Sequence, residues 1–162
     1  MKEYSYKNSD KMPKQVEMIV SLKMPDTTAI TALQTLQKIG FNKIKGISRA
    51  DYYNFSIEGD IEKFKSRICK VDILVNANKH AYNFSITKDN KIKIIVKDLN
   101  GDGSRLLSTL KNRLGLEEIK KIEKATLWSM AIDADEKEAR KIAESAAREL
   151  LVNENYQEFV VF

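Results

Sequence analysis

At 162 residues the chain has room for one compact domain or two small ones. Its 43% hydrophobic and 31% charged residues exclude a disordered composition. No apolar run approaches the roughly 20 residues of a bilayer helix. The net charge of +5 is spread thinly, with both signs mixed as in Glu117, Glu118, Lys120, Lys121, Glu123 and Lys124, the pattern of a solvated surface rather than a nucleic-acid patch.

Residues 1–14 lack periodicity and read as a flexible tail. Val16 to Leu22 is apolar enough for a central strand, closed by Pro25 and Asp26. Ile30, Leu33, Leu36 and Ile39 then mark one face of a helix from Thr27 to Ile39, stopped at Gly40. Ile44 to Arg49 and Tyr52 to Ile57 form two extended runs, predicted as a hairpin hinged near Ala50-Asp51. Asp60 caps a second helix through Ile61, Phe64, Ile68, Val71 and Val75, and Ala81 to Thr87 returns as a strand.

The order then recurs. Lys91 to Lys97 is a strand, Ser104 to Leu114 a helix, Ile119 to Glu123 and Thr126 to Ile132 a second hairpin. Asp135 and Glu138 have capping-box spacing ahead of an Ala-rich helix reaching about Val152, and Gln157 to Phe162 is the last strand. Leu-Val-Asn-x-Asn occurs at 74–78 and again at 151–155, and Phe41, Ile44, Ile47, Tyr53, Phe55 and Ile57 each have an apolar counterpart 75 positions on. The chain therefore reads as a flexible tail over 1–14 and two repeats, 15–88 and 89–162, each a β-α-β-β-α-β unit. That order predicts an α+β ferredoxin-like fold, antiparallel sheets with helices on one face. The uncovered faces are expected to pack against each other or against another chain.

Chemistry-bearing residues are sparse. Asp98-Leu99-Asn100-Gly101-Asp102-Gly103 imitates the first half of a calcium loop, but Thr109 stands where the bidentate Glu belongs and the loop follows a strand. It reads better as a strand-to-helix turn with Asp102 or Ser104 as cap. His80 and Cys69 have no second His or Cys to complete a zinc site and read as a histidine opening a strand and a helix cysteine. The single Cys and the polar start of the chain fit a cytoplasmic protein. Phosphate-binding glycine loops and a nucleophile elbow do not occur, so no catalytic, cofactor or metal residues are assigned.

The ordered motifs over 91–162 resemble PurS, the small subunit of phosphoribosylformylglycinamidine synthase: the first strand, the Asp/Gly loop, Leu114-Gly115-Leu116, Ile132 through Ala139, Leu150-Leu151-Val152-Asn153 and a closing strand. Residues 16–86 follow with more divergence. The resemblance implies a non-catalytic subunit of purine biosynthesis joining a synthetase (PurL-like) to a glutaminase (PurQ-like), with ATP, Mg2+ and glutamine used by those partners. Family members are usually single-copy dimers, so the two repeats are expected to replace a homodimer, with further homo-oligomerisation open and no nucleic acid or membrane partner. Candidate interface residues are Tyr52, Tyr53 and Tyr82 in the first repeat and Leu127, Trp128 and Phe159 in the second. Two other modules share the topology: an ACT-like regulatory domain binding a small molecule, and an RNA-binding domain, for which Tyr52-Tyr53-Asn54-Phe55 has the aromatics without the motif.

Overall fold

The computed structural model describes residues 12–162 except Asp102. Most of the expected tail lies outside the described residues. Strand β1 (Lys14–Leu22) leads to helix α1 (Thr27–Lys38), β2 (Ile44–Ile57), α2 (Ile61–Ile68) and β3 (His80–Asn83). The second half follows as β4 (Ile92–Asp98), α3 (Ser104–Asn112), β5 (Ile119–Ile132), α4 (Glu136–Ala146) and β6 (Gln157–Val161). All six strands join one antiparallel sheet in the order β3-β1-β2-β5-β4-β6.

The α+β class and the antiparallel pairing are as expected, but neither predicted hairpin turns. Each is one continuous strand of 14 residues. Ala50-Asp51 lacks the Asn-Gly or Gly-x chemistry that lets two strands reverse within two residues, so β2 runs straight on. Its second half, Asp51–Ile57, pairs with β1, while its first half continues past the end of β1 alongside β5. By the same geometry the second half of β5 pairs with β4 and the first half runs beyond it. Each four-stranded ferredoxin-like sheet is thus completed by a strand segment from the other half.

The helices cross over too. Alternation places Val16, Met18, Tyr53, Phe55, Ile122, Trp128, Met130 and Ile94 on one side of the sheet, the side on which the helices pack. One core joins β1, the end of β2 and Phe64 and Ile68 of α2 with Ile119, Ile122 and Leu110 of α3. The other joins Ala29, Ala32 and Leu36 of α1 and Ile44 with β4, Trp128, Met130 and the alanines of α4. Both hydrophobic cores draw on residues from each side of the expected boundary between 88 and 89.

Local chemistry sets the helix ends. Asp26, Asp60 and Asp135 each accept hydrogen bonds from first-turn amides. At Asp135 the amide of Glu138 donates at 2.8 Å, but the Glu138 carboxylate pairs with Lys43 instead of closing the expected capping box. Gly103, not Asp102 or Ser104, holds the cap position of α3, because a Cβ there would collide with the carbonyl oxygen of Ile122. Helix α2 stops at Ile68, short of the predicted Val75; two turns with amides of Leu74 and Val75 donating to Val71 deliver both side chains to the core. After α4 one wider turn, Ala147–Leu151, ends with the Val152 amide donating to Ala147.

Candidate functional site

The centre of the sheet, where β2 meets β5, is where the two halves touch most intimately. Arg49 stands opposite Trp128 and Tyr53 opposite Lys124. Arg49 Cζ lies 5.9 Å from the Trp128 ring centre and Lys124 Nζ 5.8 Å from that of Tyr53. Lys124 and Trp128 are the residues 75 positions beyond Arg49 and Tyr53, so the same cation over aromatic contact is made twice across the seam. Arg49 Nε also donates to Asp26 Oδ2 at 2.9 Å. Burial alone would raise the Asp26 carboxyl, but the guanidinium and the amides of Ala29 and Thr28 outweigh it and hold the pKa below its ordinary value.

On the opposite, helix-free face Tyr52 donates to Glu17 Oε1 at 2.8 Å, and burial followed by that carboxylate pushes its phenol well up. In the neighbouring row Asn54 stands between Glu17 and Glu123 with its Oδ1 buried and unpartnered among the described residues. Glu123 is held below the usual carboxylate range by Lys121, against its burial, with Lys97 assisting.

The segment between β3 and β4 passes beside this face. Ser85, Ile86 and Thr87 share a cleft of about 650 Å³ with Ser21, Ser48, Leu127 and Ser129 of the sheet, and Asp26 and Arg49 line its other side. Lys93, buried in β4, reaches this segment through Asp89 Oδ1 at 2.9 Å. That hydrogen bond, opposed by burial, keeps the Asp89 carboxyl low.

The Leu-Val-Asn-x-Asn motif builds one turn twice. The amide of Asn76 donates to His80 Nδ1 and that of Asn153 to Gln157 Oε1, each at 3.0 Å, while Asn76 and Asn153 accept from the amides of Asn78 and Asn155. His80 is therefore a turn acceptor opening β3, in the place Gln157 takes before β6. Cys69 caps α2, with Sγ 3.6 Å from the Ser66 carbonyl and beside Tyr82, whose phenol it raises. In the Asp98–Gly103 loop, the Asp98 carboxylate accepts from Gln157 Nε2 at 2.9 Å and Asp102 lies outside the described residues.

The six candidate interface residues divide into two groups. Tyr52, Tyr53, Leu127 and Trp128 are buried along the seam. Tyr53, stacked on Phe55, has its phenol pushed up to about 12 by burial. Tyr82 is exposed on β3, edge-on to Phe84, and Phe159 is half-buried on β6 beneath Arg148. The structure brings the first four together and leaves the other two at opposite borders of the sheet. Sequence reasoning passed over Lys93 and Asp89; a lysine in an otherwise apolar strand, Ile92 to Val96, was the available signal.

Residues 90–161 match the family model described as PurS: phosphoribosylformylglycinamidine (FGAM) synthase. Over this stretch, less than half of the chain, the sequence resembles PurS. The match covers β4 through β6, the part of the chain in which the motif order is clearest. No curated protein matches the chain. Among the described residues, no helix is long and apolar enough to cross a membrane.

Proposed function

We propose that this chain is the non-catalytic small subunit of a cytoplasmic FGAM synthase, bridging an ATP-dependent synthetase and a glutaminase, and that its two halves stand in for a pair of PurS chains. The observation that carries this reading is the PurS match over residues 90–161. The exchange of strands and helices supports it: two similar halves complete each other's sheets and cores, as two separate chains would in a dimer. Joining them turns a bimolecular association into an intramolecular one at high effective concentration. A bridge works by surface complementarity, and the shifted carboxylates Asp26, Asp89 and Glu123 are each engaged in structural ion pairs.

The test is reconstitution. With synthetase, glutaminase, ATP, Mg2+ and formylglycinamide ribonucleotide supplied, glutamine-dependent synthesis should require this chain, while synthesis from free ammonia should persist without it. Equal glutamine-dependent rates with and without the chain would refute the proposal.

A second reading, a small-molecule regulatory module, draws on the 650 Å³ cleft, whose Asp26, Arg49 and serine lining suits a zwitterion and whose size lies within the usual ligand range. Calorimetric titration with single amino acids decides it: saturable binding lost in Arg49→Ala supports that reading, and no heat with any of them removes it.

A further inference from the structure

Among the described residues the sheet has five stretches of free edge, and four carry the features that keep sheet edges from pairing with other chains; the part of β1 ahead of β3, Lys14–Met18, has Lys14 and Glu17. β3 has only 4 residues, and its first amide is spent on Asn76. The part of β2 beyond β1 has Lys45, Arg49 and a register shift between Ile44 and Gly46. The free part of β5 has Lys120, Lys121 and Lys124 and an irregularity facing Ser56 and Ile57. Shortness, lysines and bulges are the usual protections of an edge. β6 has none of them: it reads Gln157, Glu158, Phe159, Val160, Val161, followed by Phe162.

The ladder fixes which groups of β6 point outward. Phe162 and Lys93 exchange hydrogen bonds of 2.9 and 2.8 Å, so Phe162, Val160 and Glu158 turn their amides and carbonyls toward β4. Phe159 and Val161 must then turn theirs away, where the sheet has no further strand among the described residues. Val160 is 61% exposed on the helix-free face, at the end of an apolar row formed with Ile95 and Leu127.

We propose that β6 is a homodimerisation edge, on which β6 of a second copy of this chain adds antiparallel and joins the two sheets into one. A two-fold axis through Val160 puts Phe159 opposite the partner's Val161 on both sides, so that every outward amide and carbonyl of these residues is paired. The Val160 side chains meet across the axis and prolong the row from Leu127 and Ile95. The same register sets Glu158 opposite Phe162, so no like charges face each other, which favours a second copy of this strand as the occupant.

Sedimentation velocity on the full chain, with circular dichroism as the check on fold, tests this. The unmodified chain should sediment at twice its 18.6 kDa mass at tens of micromolar. Val160→Lys, which sets two ammonium groups against each other, and Val161→Pro, which removes an outward donor without touching the β4 ladder, should each give the single-chain mass with an unchanged spectrum. The two variants act through different atoms, so one that misfolds leaves the other to decide. Tyr82→Lys on the opposite edge should leave the dimer intact. A single-chain mass for the unmodified protein, or a dimer that survives in a folded edge variant, overturns the proposal. The inference does not rest on the FGAM synthase reading: a chain that fails to couple glutamine can still dimerise, and a monomer can still couple it.

Discussion

Asp51 stands directly opposite Thr126, its own counterpart 75 positions on. The ladder pairs Arg49 with Trp128 and Tyr53 with Lys124 on either side of this pair, so a local two-fold of the β2–β5 ladder passes between Asp51 and Thr126, near the midpoint of both long strands. On either side of it Arg49 with Trp128 and Lys124 with Tyr53 repeat the same contact. The polar residues near the axis mark the gap where each strand leaves one core and enters the other.

Because both cores are shared, cutting the chain should not separate it. With a protease site placed between Thr87 and Lys88, the cleaved protein should keep the mass of the intact chain on a sizing column and keep its far-ultraviolet spectrum. Residues 12–87 expressed alone should lack cooperative thermal unfolding. A nicked protein that falls into two folded halves would contradict the exchange of strands.

The shared cores also predict matching losses from equivalent substitutions. Phe55→Ala and Met130→Ala, 75 positions apart and both fully buried, should each cost about 2–5 kcal/mol. Both should lower one common denaturation midpoint instead of splitting the transition. Two separate transitions in either variant would show that the cores unfold independently.

Glycine positions separate close packing from open space. Gly103→Ala drives a methyl group into the Ile122 backbone and should cost about 1–3 kcal/mol. Gly46→Ala meets only Ala131 Cβ at 3.6 Å and should change stability by less than about 1 kcal/mol. Chemical denaturation of the two variants checks the contrast.

The acid limb of stability should report two ion pairs. Asp89 and Asp26 titrate below their ordinary value of 3.8 in the folded chain. A depressed carboxyl stabilises the fold above its unfolded pKa, and that contribution disappears as pH falls through the folded value. Stability should therefore be insensitive to these groups from pH 7 to 5 and decline below about pH 4, and Asp89→Asn and Asp26→Asn should flatten that decline. Asp89→Ala leaves Lys93, 6% exposed, without its partner and should cost about 1–3 kcal/mol at neutral pH. Urea midpoints across pH measure both effects.

How much of this was legible in the sequence depends on how local each feature is. The Leu-Val-Asn-x-Asn turns show plainly because their hydrogen bonds close within five residues, from Asn76 to His80 and from Asn153 to Gln157. Helix starts at Asp26, Asp60 and Asp135 show for the same reason. The hairpins were misread because the lapse in apolar alternation around Ala50-Asp51 looks like a turn, when it marks the passage of a straight strand between two cores. Strand exchange leaves no local trace, since it depends on contacts between residues about 75 apart. Tyr52, Tyr53, Leu127 and Trp128 stood out as contact residues, but sequence could not tell an internal seam from an external surface. Lys93 was passed over because its partner Asp89 lies in a segment with no periodicity of its own.

The central claim is that one chain, folded as an exchanged pair, takes the place of two PurS subunits. Native mass spectrometry of the complex reconstituted with the synthetase and glutaminase measures this directly. The account predicts one copy of this chain for each synthetase subunit; two copies for each synthetase would contradict it.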